Sequence, residues 1–184
     1  MHTALEVSEN TIYTTRHRFR YGEVVLGSIG DSLCLCLWPA STHYDAVIRR
    51  LQRGFAAEVV EQPTAVTLAA ADMIDSRFMD CMPMEIRMRT FGTELQQAVW
   101  RAIAAIPPGY TASYSEWACR AGYPTAVRAV ASAVGANALN LFIPCHRVVP
   151  ADGSVGNYAG LPYTKYRLLR HEGVAVEYRR KVRV

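Results

Sequence analysis

The run Ile143-Pro144-Cys145-His146-Arg147-Val148-Val149 sets a thiol, an imidazole and a guanidinium side by side within an otherwise apolar stretch. A cysteine attacks as its thiolate, and a neighbouring histidine and arginine are groups that stabilise one. Adjacent side chains diverge, so His146 would reach Cys145 through a water, and a third group is needed to orient the imidazole. The carboxylates that could do so are few in the second half of the chain, namely Glu94, Glu116, Asp152, Glu172 and Glu177. Glu172 closes the amphipathic segment Leu168-Leu169-Arg170-His171-Glu172-Gly173 and is a reasonable candidate. The competing reading is a structural cysteine in a buried strand-like segment that Pro144 breaks.

A second feature lies just upstream. At about 100° per residue, Val127, Val130 and Val134 fall on one stripe of a helix, and Ala126, Ala129, Ala133 and Ala136 form an adjacent face without long side chains. Arg128 projects opposite the valines, flanked by Ser132 and Gly135. A smooth face with one long cation suits close approach to a nucleic-acid groove; tight helix packing is the alternative.

Charge distribution agrees with a polyanion partner. Residues 1–90 carry 9 Lys/Arg against 11 Asp/Glu, whereas residues 91–184 carry 11 against 5. Arginine dominates, since the only lysines are Lys165 and Lys181, and arginine suits phosphate and base recognition. An ordinary solvated basic surface would look similar. No stretch approaches the ~18–20 apolar residues of a membrane span, and the start, MHTALEVSEN, lacks the features of a signal peptide. Five cysteines, none in a C-x-x-C pair, argue against a disulfide framework and for reduced thiols in a cytoplasmic setting.

The elements that position these residues fall into two parts, 1–90 and 91–184. In the first, Ile12–Phe19, Glu23–Ile29 and Leu33–Trp38 read as strands separated by turn signals. The run Leu33 to Leu37 is apolar on both faces, which predicts a central, doubly covered strand with Cys34 and Cys36 on one face. A helix follows, capped by Ser41 or Thr42 and stopped at Gly54, with Tyr44, Val47, Ile48 and Leu51 inward. A second helix starts near Pro63 and turns Val66, Ala69, Ala70, Met73 and Ile74 inward. Met84 to Arg89 alternates as a half-exposed strand. In the second part, Thr93-x-x-Gln96 and Ser113-x-x-Glu116 are capping boxes. The second opens a short helix that Gly122 stops, and Pro124-Thr125 starts another running to about Ala136. The pair is either a helix-turn-helix or a plain αα-corner.

The motif Ile143-Pro144-Cys145-His146-Arg147-Val148-Val149 resembles the signature of the O6-alkylguanine-DNA alkyltransferases, the methylated-DNA–protein-cysteine methyltransferases. The likeness extends in order through Gly92-Thr93, Val99-Trp100, Pro107-x-Gly109-x-Thr111, Ser113-Tyr114, Arg128-Ala129-Val130, Asn137, Gly156-Asn157-Tyr158 and Lys165…Leu168-Leu169…Glu172-Gly173. It is dense over residues 91–174; the first 90 resemble the family only in length and strand-first order. The resemblance implies a ribonuclease-H-like α/β N-terminal domain and a mostly α C-terminal domain with a helix-turn-helix. It implies stoichiometric transfer of an alkyl group from O6-alkylguanine in double-stranded DNA to Cys145, with base flipping, and makes O4-alkylthymine a further candidate substrate. Each molecule would act once, as a monomer, without cofactor or metal.

Roles follow from the same resemblance. His146, through a water, and Glu172 would keep Cys145 a reactive thiolate. Tyr114 would contact the flipped nucleotide and donate a proton to the departing guanine. Arg128 would fill the gap left by the base, while Tyr114, Ser115, Tyr123, Ala126 and Ala129 would contact DNA across the minor groove. Asn137 would tie the helix pair to the acceptor segment. Val148, Tyr158, Ala159 and Gly160 would wall the guanine pocket. Departures are Ala159, where a serine is common, and Gly160-Leu161-Pro162 at the pocket rim. No zinc-ligand set matches among His2, His17, His43, Cys34 and Cys36, and no fused Cys-rich module is expected. Two other classes compete: a non-catalytic lesion-binding relative, against which Cys145 speaks, and a thiol hydrolase, against which Arg128 and the basic half speak.

Overall fold

A computed structural model of the chain describes residues 8–80, 85–159 and 161–176. It begins with three β-strands, β1 (Thr11–Phe19), β2 (Gly22–Ile29) and β3 (Ser32–Leu37), paired antiparallel as a meander. Helix α1 (Tyr44–Phe55) then leads to a short strand, β4 (Glu58–Glu61), which pairs parallel to β1 and completes a sheet of order β3-β2-β1-β4. Helix α2 (Ala65–Asp80) ends this half. The two helices cover opposite faces. Val47 and Leu51 of α1 join Ile12, Val25, Ile29 and Leu35 in one cluster, while Ala70, Ile74 and Phe78 of α2 join Phe19, Tyr21, Val24 and Leu26 in another. Truncating a side chain such as Ile74 to alanine in such a core costs about 2–5 kcal/mol.

The positions of β1 to β3 match the sequence reading to within a residue, whereas β4 is absent from that reading, and β3 is an edge strand rather than a central one. It is nevertheless fully buried, because later segments cover its open edge. The Leu33 amide donates to Arg87 O at 2.8 Å, and the Cys36 amide donates to Ala138 O at 2.8 Å. An irregularity in the β2–β3 register pairs Gly27 with Leu35 and Ser28 with Leu33, leaving Cys34 as the extra residue. A bulge of this kind reverses the side-chain alternation. Cys34 and Cys36 therefore enter different clusters instead of sharing a face.

Other local expectations change for identifiable reasons. Helix α1 has His43 at its N-cap without a side-chain cap; Ser41 instead accepts the His43 amide in the preceding turn at 3.2 Å. Gly54 lies inside α1, which ends at Ala56 in the left-handed region. Its small size serves packing, since a Cβ there would collide with the Phe91 ring. Ala69 is exposed on α2. Residues 85–89 make one isolated bridge, Met88 to Leu33, rather than a strand, and Met84 and Cys81 lie outside the described residues.

The second half is mostly helical: α3 (Glu94–Ala104), α4 (Tyr114–Arg120), α5 (Val127–Gly135) and α6 (Pro162–His171). A two-residue parallel ladder joins β5 (Ala112–Ser113) to β6 (Val148–Val149). Both capping boxes form, with the Gln96 amide donating to Thr93 Oγ1 at 3.3 Å and the Glu116 amide to Ser113 Oγ at 3.2 Å. α5 starts two to three residues later than Pro124-Thr125, which form a turn. One hydrophobic cluster passes through both halves, from Trp38 and Ile74 to Val99, Trp117, Val130, Leu141 and Leu168. Among the described residues, no helix is long and apolar enough to cross a membrane.

Candidate active site

Asn137 shapes the segment that carries Cys145. Its Nδ2 donates to Ile143 O at 2.8 Å, and its Oδ1 accepts the Leu139 amide at 2.9 Å. These bonds close residues 137–143 into a buried loop after α5. The loop also docks on β3, where the Asn140 amide donates to Cys36 O at 2.8 Å. Pro144 then directs the chain into a single 3₁₀ turn, Cys145–Arg147, and out along β6. Every residue from 137 to 149 is buried. An apolar run interrupted by proline thus becomes a rigid seat for one thiol.

Glu172 is the hub beside that turn. Its Oε1 accepts from His146 Nε2 at 3.1 Å, Arg147 Nη2 at 2.6 Å and Arg77 Nη2 at 3.1 Å; its Oε2 accepts from Arg147 Nε at 2.8 Å. Arg147 also donates through Nη1 to Ile106 O, beyond the end of α3. Burial alone would raise the Glu172 carboxyl, but the bonds and charges of His146 and Arg147 outweigh it and hold the group well below the ordinary carboxylate range. His146 is pushed down, chiefly by burial and further by Arg147 and Arg77, against the opposing pull of Glu172. A carboxylate only accepts, so Nε2 carries the proton and Nδ1 is the basic nitrogen. His146 Nδ1 is buried and has no hydrogen-bond partner among the described residues.

The thiol differs from the sequence expectation of a standing thiolate. Cys145 is 5% exposed, and burial pushes its pKa up despite the lowering influence of Asn137, the Lys165 charge and Tyr158. Its nearest acceptors are Asn140 Oδ1 at 3.6 Å and Asn140 O at 4.0 Å. The cations expected to stabilise it are engaged elsewhere: Arg147 is bound to Glu172, and His146 is held neutral. The resting group is therefore a thiol rather than a thiolate.

Tyr158, Val148 and Ala159 lie around the same region. Trp38 Nε1 donates to Tyr158 Oη at 3.2 Å, and the Tyr158 ring meets His146 edge-on at 6.4 Å. Burial drives the Tyr158 phenol well above its usual value. Val148 is fully buried, and its carbonyl accepts from Lys165 Nζ at 2.6 Å. Ala159 takes a left-handed φ of 45°. Gly160 lies outside the described residues. Gly156, with φ 69°, sits where a Cβ would meet the Pro150 ring at 2.7 Å, which fixes the bend before Tyr158.

The DNA-contact candidates occupy α4, α5 and their connection. Tyr114 opens α4, is half-buried, and has a phenol raised chiefly by burial. Tyr123 and Ala126 are half-buried in the connection. Ser115 is exposed and shares a hydrogen bond with Ser113 Oγ at 3.0 Å. Arg128 and Ala129 are exposed on α5, whose Val130, Ala133 and Val134 face the core. The structure thus brings Cys145, His146, Glu172, Asn137, Val148 and Tyr158 together, with Tyr114 adjacent, and leaves Arg128, Ala129 and Ser115 on the surface.

Sequence reasoning missed Arg77, Trp38 and Asn140, and quoted Lys165 without a role. Lys165 Nζ also donates to Asn157 O at 3.5 Å, and burial lowers its pKa to about 8. A signal for Lys165 was present. Leu161, Lys165, Leu168 and Glu172 recur at helical spacing, so two ionisable groups stand on one apolar stripe. Arg77 stands likewise between Ile74 and Phe78. No local signal marks Trp38.

Comparison with known proteins adds independent findings. Residues 94–174 match a family profile described as 6-O-methylguanine DNA methyltransferase, DNA binding domain. A Salmonella typhimurium protein named regulatory protein ada is 50% identical over 91 residues, covering 50% of this chain and 25% of that protein. A Mycobacterium bovis methylated-DNA–protein-cysteine methyltransferase is 38% identical over 104 residues, covering 56% of this chain and 63% of its own length. The chain therefore spans only a quarter to under two thirds of these curated relatives. The crystal structure of Mycobacterium tuberculosis OGT in complex with DNA superposes with a TM-score of 0.73 at 29% identity, over 88% of this chain and 92% of that one. Its likeness includes the N-terminal sheet as well as the helical second half.

Proposed function

We propose that the chain is a member of the O6-methylguanine-DNA methyltransferase family, whose profile its residues 94–174 match, and that it repairs DNA by moving an alkyl group from O6-alkylguanine to Cys145. The observation that carries this reading is the buried Cys145 beside a neutral His146, whose Nε2 is bound to Glu172 while Nδ1 lacks a partner among the described residues. In the reaction, Cys145 Sγ attacks the O6-alkyl carbon in line. The S–C bond forms, the C–O bond breaks, and the electron pair stays with guanine. The thiol proton passes toward His146 Nδ1 through a water. Tyr114 supplies a proton to the departing base and is later reprotonated, so the net transfer exchanges a thiol proton for an alkyl group. No cofactor enters, because the lesion carries the group transferred. A thioether has no easy route back to a thiol, so each molecule acts once.

The lesion atom is hidden within a duplex and must leave the stack to be reached. We read α4 and α5 as a helix-turn-helix whose second helix lies in the minor groove, with Ala126 and Ala129 allowing close approach and Arg128 filling the emptied space. Ser115 and Tyr123 flank that surface; Tyr158, Ala159 and Val148 wall the pocket. The β3-β2-β1-β4 order, with β4 parallel to β1, supports a ribonuclease-H-like reading of residues 1–90 as a scaffold domain, with 91–184 as the DNA-binding and acceptor domain. We read the protein as a cytoplasmic monomer, with O4-alkylthymine as a candidate second substrate. The test is intact-mass analysis after mixing with a duplex carrying one O6-methylguanine. One added methyl per molecule, located on Cys145 by peptide mapping, is expected. A methyl on another cysteine, or activity in Cys145→Ala, would overturn the assignment.

A further inference from the structure

A groove of about 430 Å³ runs between α1 and α5, joining the two halves of the molecule. His43, Arg50 and Arg53 stand on the α1 side, and Ser132 and Gly135 on the α5 side; among the described residues, no acidic one lines it. Arg50 makes the groove rigid. Its Nη2 donates to Ala136 O at 2.7 Å, just past the end of α5, and its guanidinium lies 5.4 Å from the centre of the Trp100 ring. Arg53 and His43 are exposed at the rim, and a Cβ on Gly135 would meet nothing within 4 Å. The floor is therefore open and the wall basic.

The position of the groove on α5 gives it meaning. At about 100° per residue, Arg128, Ser132 and Gly135 fall on one face of the helix. With a rise of 1.5 Å per residue, Ser132 and Gly135 lie about 6 and 10 Å along the axis from Arg128. The nucleotides of one DNA strand are spaced about 3.4 Å apart along the duplex axis. A strand following α5 from Arg128 would reach the α1 wall about two to three nucleotides away. We propose that the groove between α1 and α5 binds the sugar-phosphate backbone of the DNA strand beside the lesion, with Arg53 as its phosphate contact and His43 beside it. This extends the DNA-binding surface onto the N-terminal half, and it rests on the DNA-repair reading above.

The experiment measures binding of the full chain to an undamaged duplex as salt rises from about 50 to 200 mM, for the wild type, Arg53→Gln and Arg53→Lys. Loss of one phosphate contact lowers the salt slope by about 1 and weakens binding uniformly across sequences. Arg53→Gln is expected to show that change, and Arg53→Lys to keep the wild-type slope. Alkyl transfer from a free O6-alkylguanine base, which has no phosphate, is expected to be unchanged and shows that the variant is folded. An unaltered slope in Arg53→Gln overturns the proposal while leaving the repair reading intact. A DNA-independent dimer that Arg53→Gln disrupts would also overturn it, since the groove would then hold a second copy. A wild type that neither binds duplex nor accepts an alkyl group would overturn both readings.

Discussion

Arg77 on α2 and His146 in the 3₁₀ turn donate to the same oxygen, Glu172 Oε1, each at 3.1 Å. A residue of the first half thus completes the polar cluster beside His146 and the Cys145 turn. Burial chiefly keeps the imidazole neutral; Glu172 pulls the other way, and the Arg147 and Arg77 charges oppose that pull.

Replacing Arg77 by Met is expected to cost about 1.5–3 kcal/mol in urea unfolding, the range for a hydrogen bond to a charged group. It also removes a positive charge that holds His146 down. The groups facing His146 are Glu172, Arg147 and Arg77, with Cys145 and Tyr158 alongside. The His146 pKa should therefore rise, and the acid limb of the transfer rate should move to higher pH. Arg77→Lys should restore most of that profile. An unshifted limb in Arg77→Met would confine Arg77 to a structural role.

Glu172→Gln should be more damaging, because it leaves the buried Arg147 and the half-buried Arg77 without their counter-charge, at about 3–5 kcal/mol. The wild type should also lose stability in acid. The Glu172 pKa is depressed on folding, so its contribution is complete above the unfolded value of about 4.3 and is lost as pH falls toward the folded value. His146, also depressed, adds a loss that begins as pH falls through about 6.5. Urea midpoints between pH 7 and pH 2 would test this, and a flat profile would contradict the cluster.

Burial pushes Cys34 and Cys36 up to about 12 and raises Cys145, whereas Cys119 is exposed. Alkylation of the native protein at pH 8 should label Cys119 first and spare Cys34 and Cys36 until the chain unfolds. Unfolded thiols ionise near 8.5. Folded ones stay protonated, so these three lower stability as pH rises above that value. Lys165 has the opposite sign, since its folded pKa of about 8 lies below the unfolded value. Three thiols against one ammonium give a net fall between pH 8.5 and 10, and Cys36→Ala should make that fall shallower. Rising stability over this range would refute the assignment.

Arg128→Ala should slow alkyl transfer from a duplex lesion by a large factor and leave transfer from free O6-benzylguanine nearly unchanged. Arg128 is exposed, so unfolding should shift by no more than about 0.5 kcal/mol. Extrusion of a base costs a few kcal/mol, and on the proposed reading the guanidinium would offset part of it by occupying the space. Equal losses on both substrates would assign Arg128 to the pocket or the fold instead.

Much of the site was legible in residue order because its local devices are short-range. Capping boxes at Thr93 and Ser113 depend on residues three apart, and the Arg128 face depends on helical periodicity. The Pro144-Cys145-His146-Arg147 motif and Glu172 on its apolar stripe are likewise written in sequence. What tertiary structure alone decided involves residues distant in the chain. Cys34 and Cys36 part company because β2 pairs with a one-residue irregularity, and β3 lies at an edge yet is buried because residues 87–89 and 138–140 return to cover it. The convergence of Arg77, Trp38 and Lys165 on the acceptor region has the same origin. The thiol's protonation was beyond sequence for a further reason: a histidine and an arginine beside a cysteine promise a thiolate, but desolvation outweighs them once Arg147 is committed to Glu172 and His146 is buried neutral.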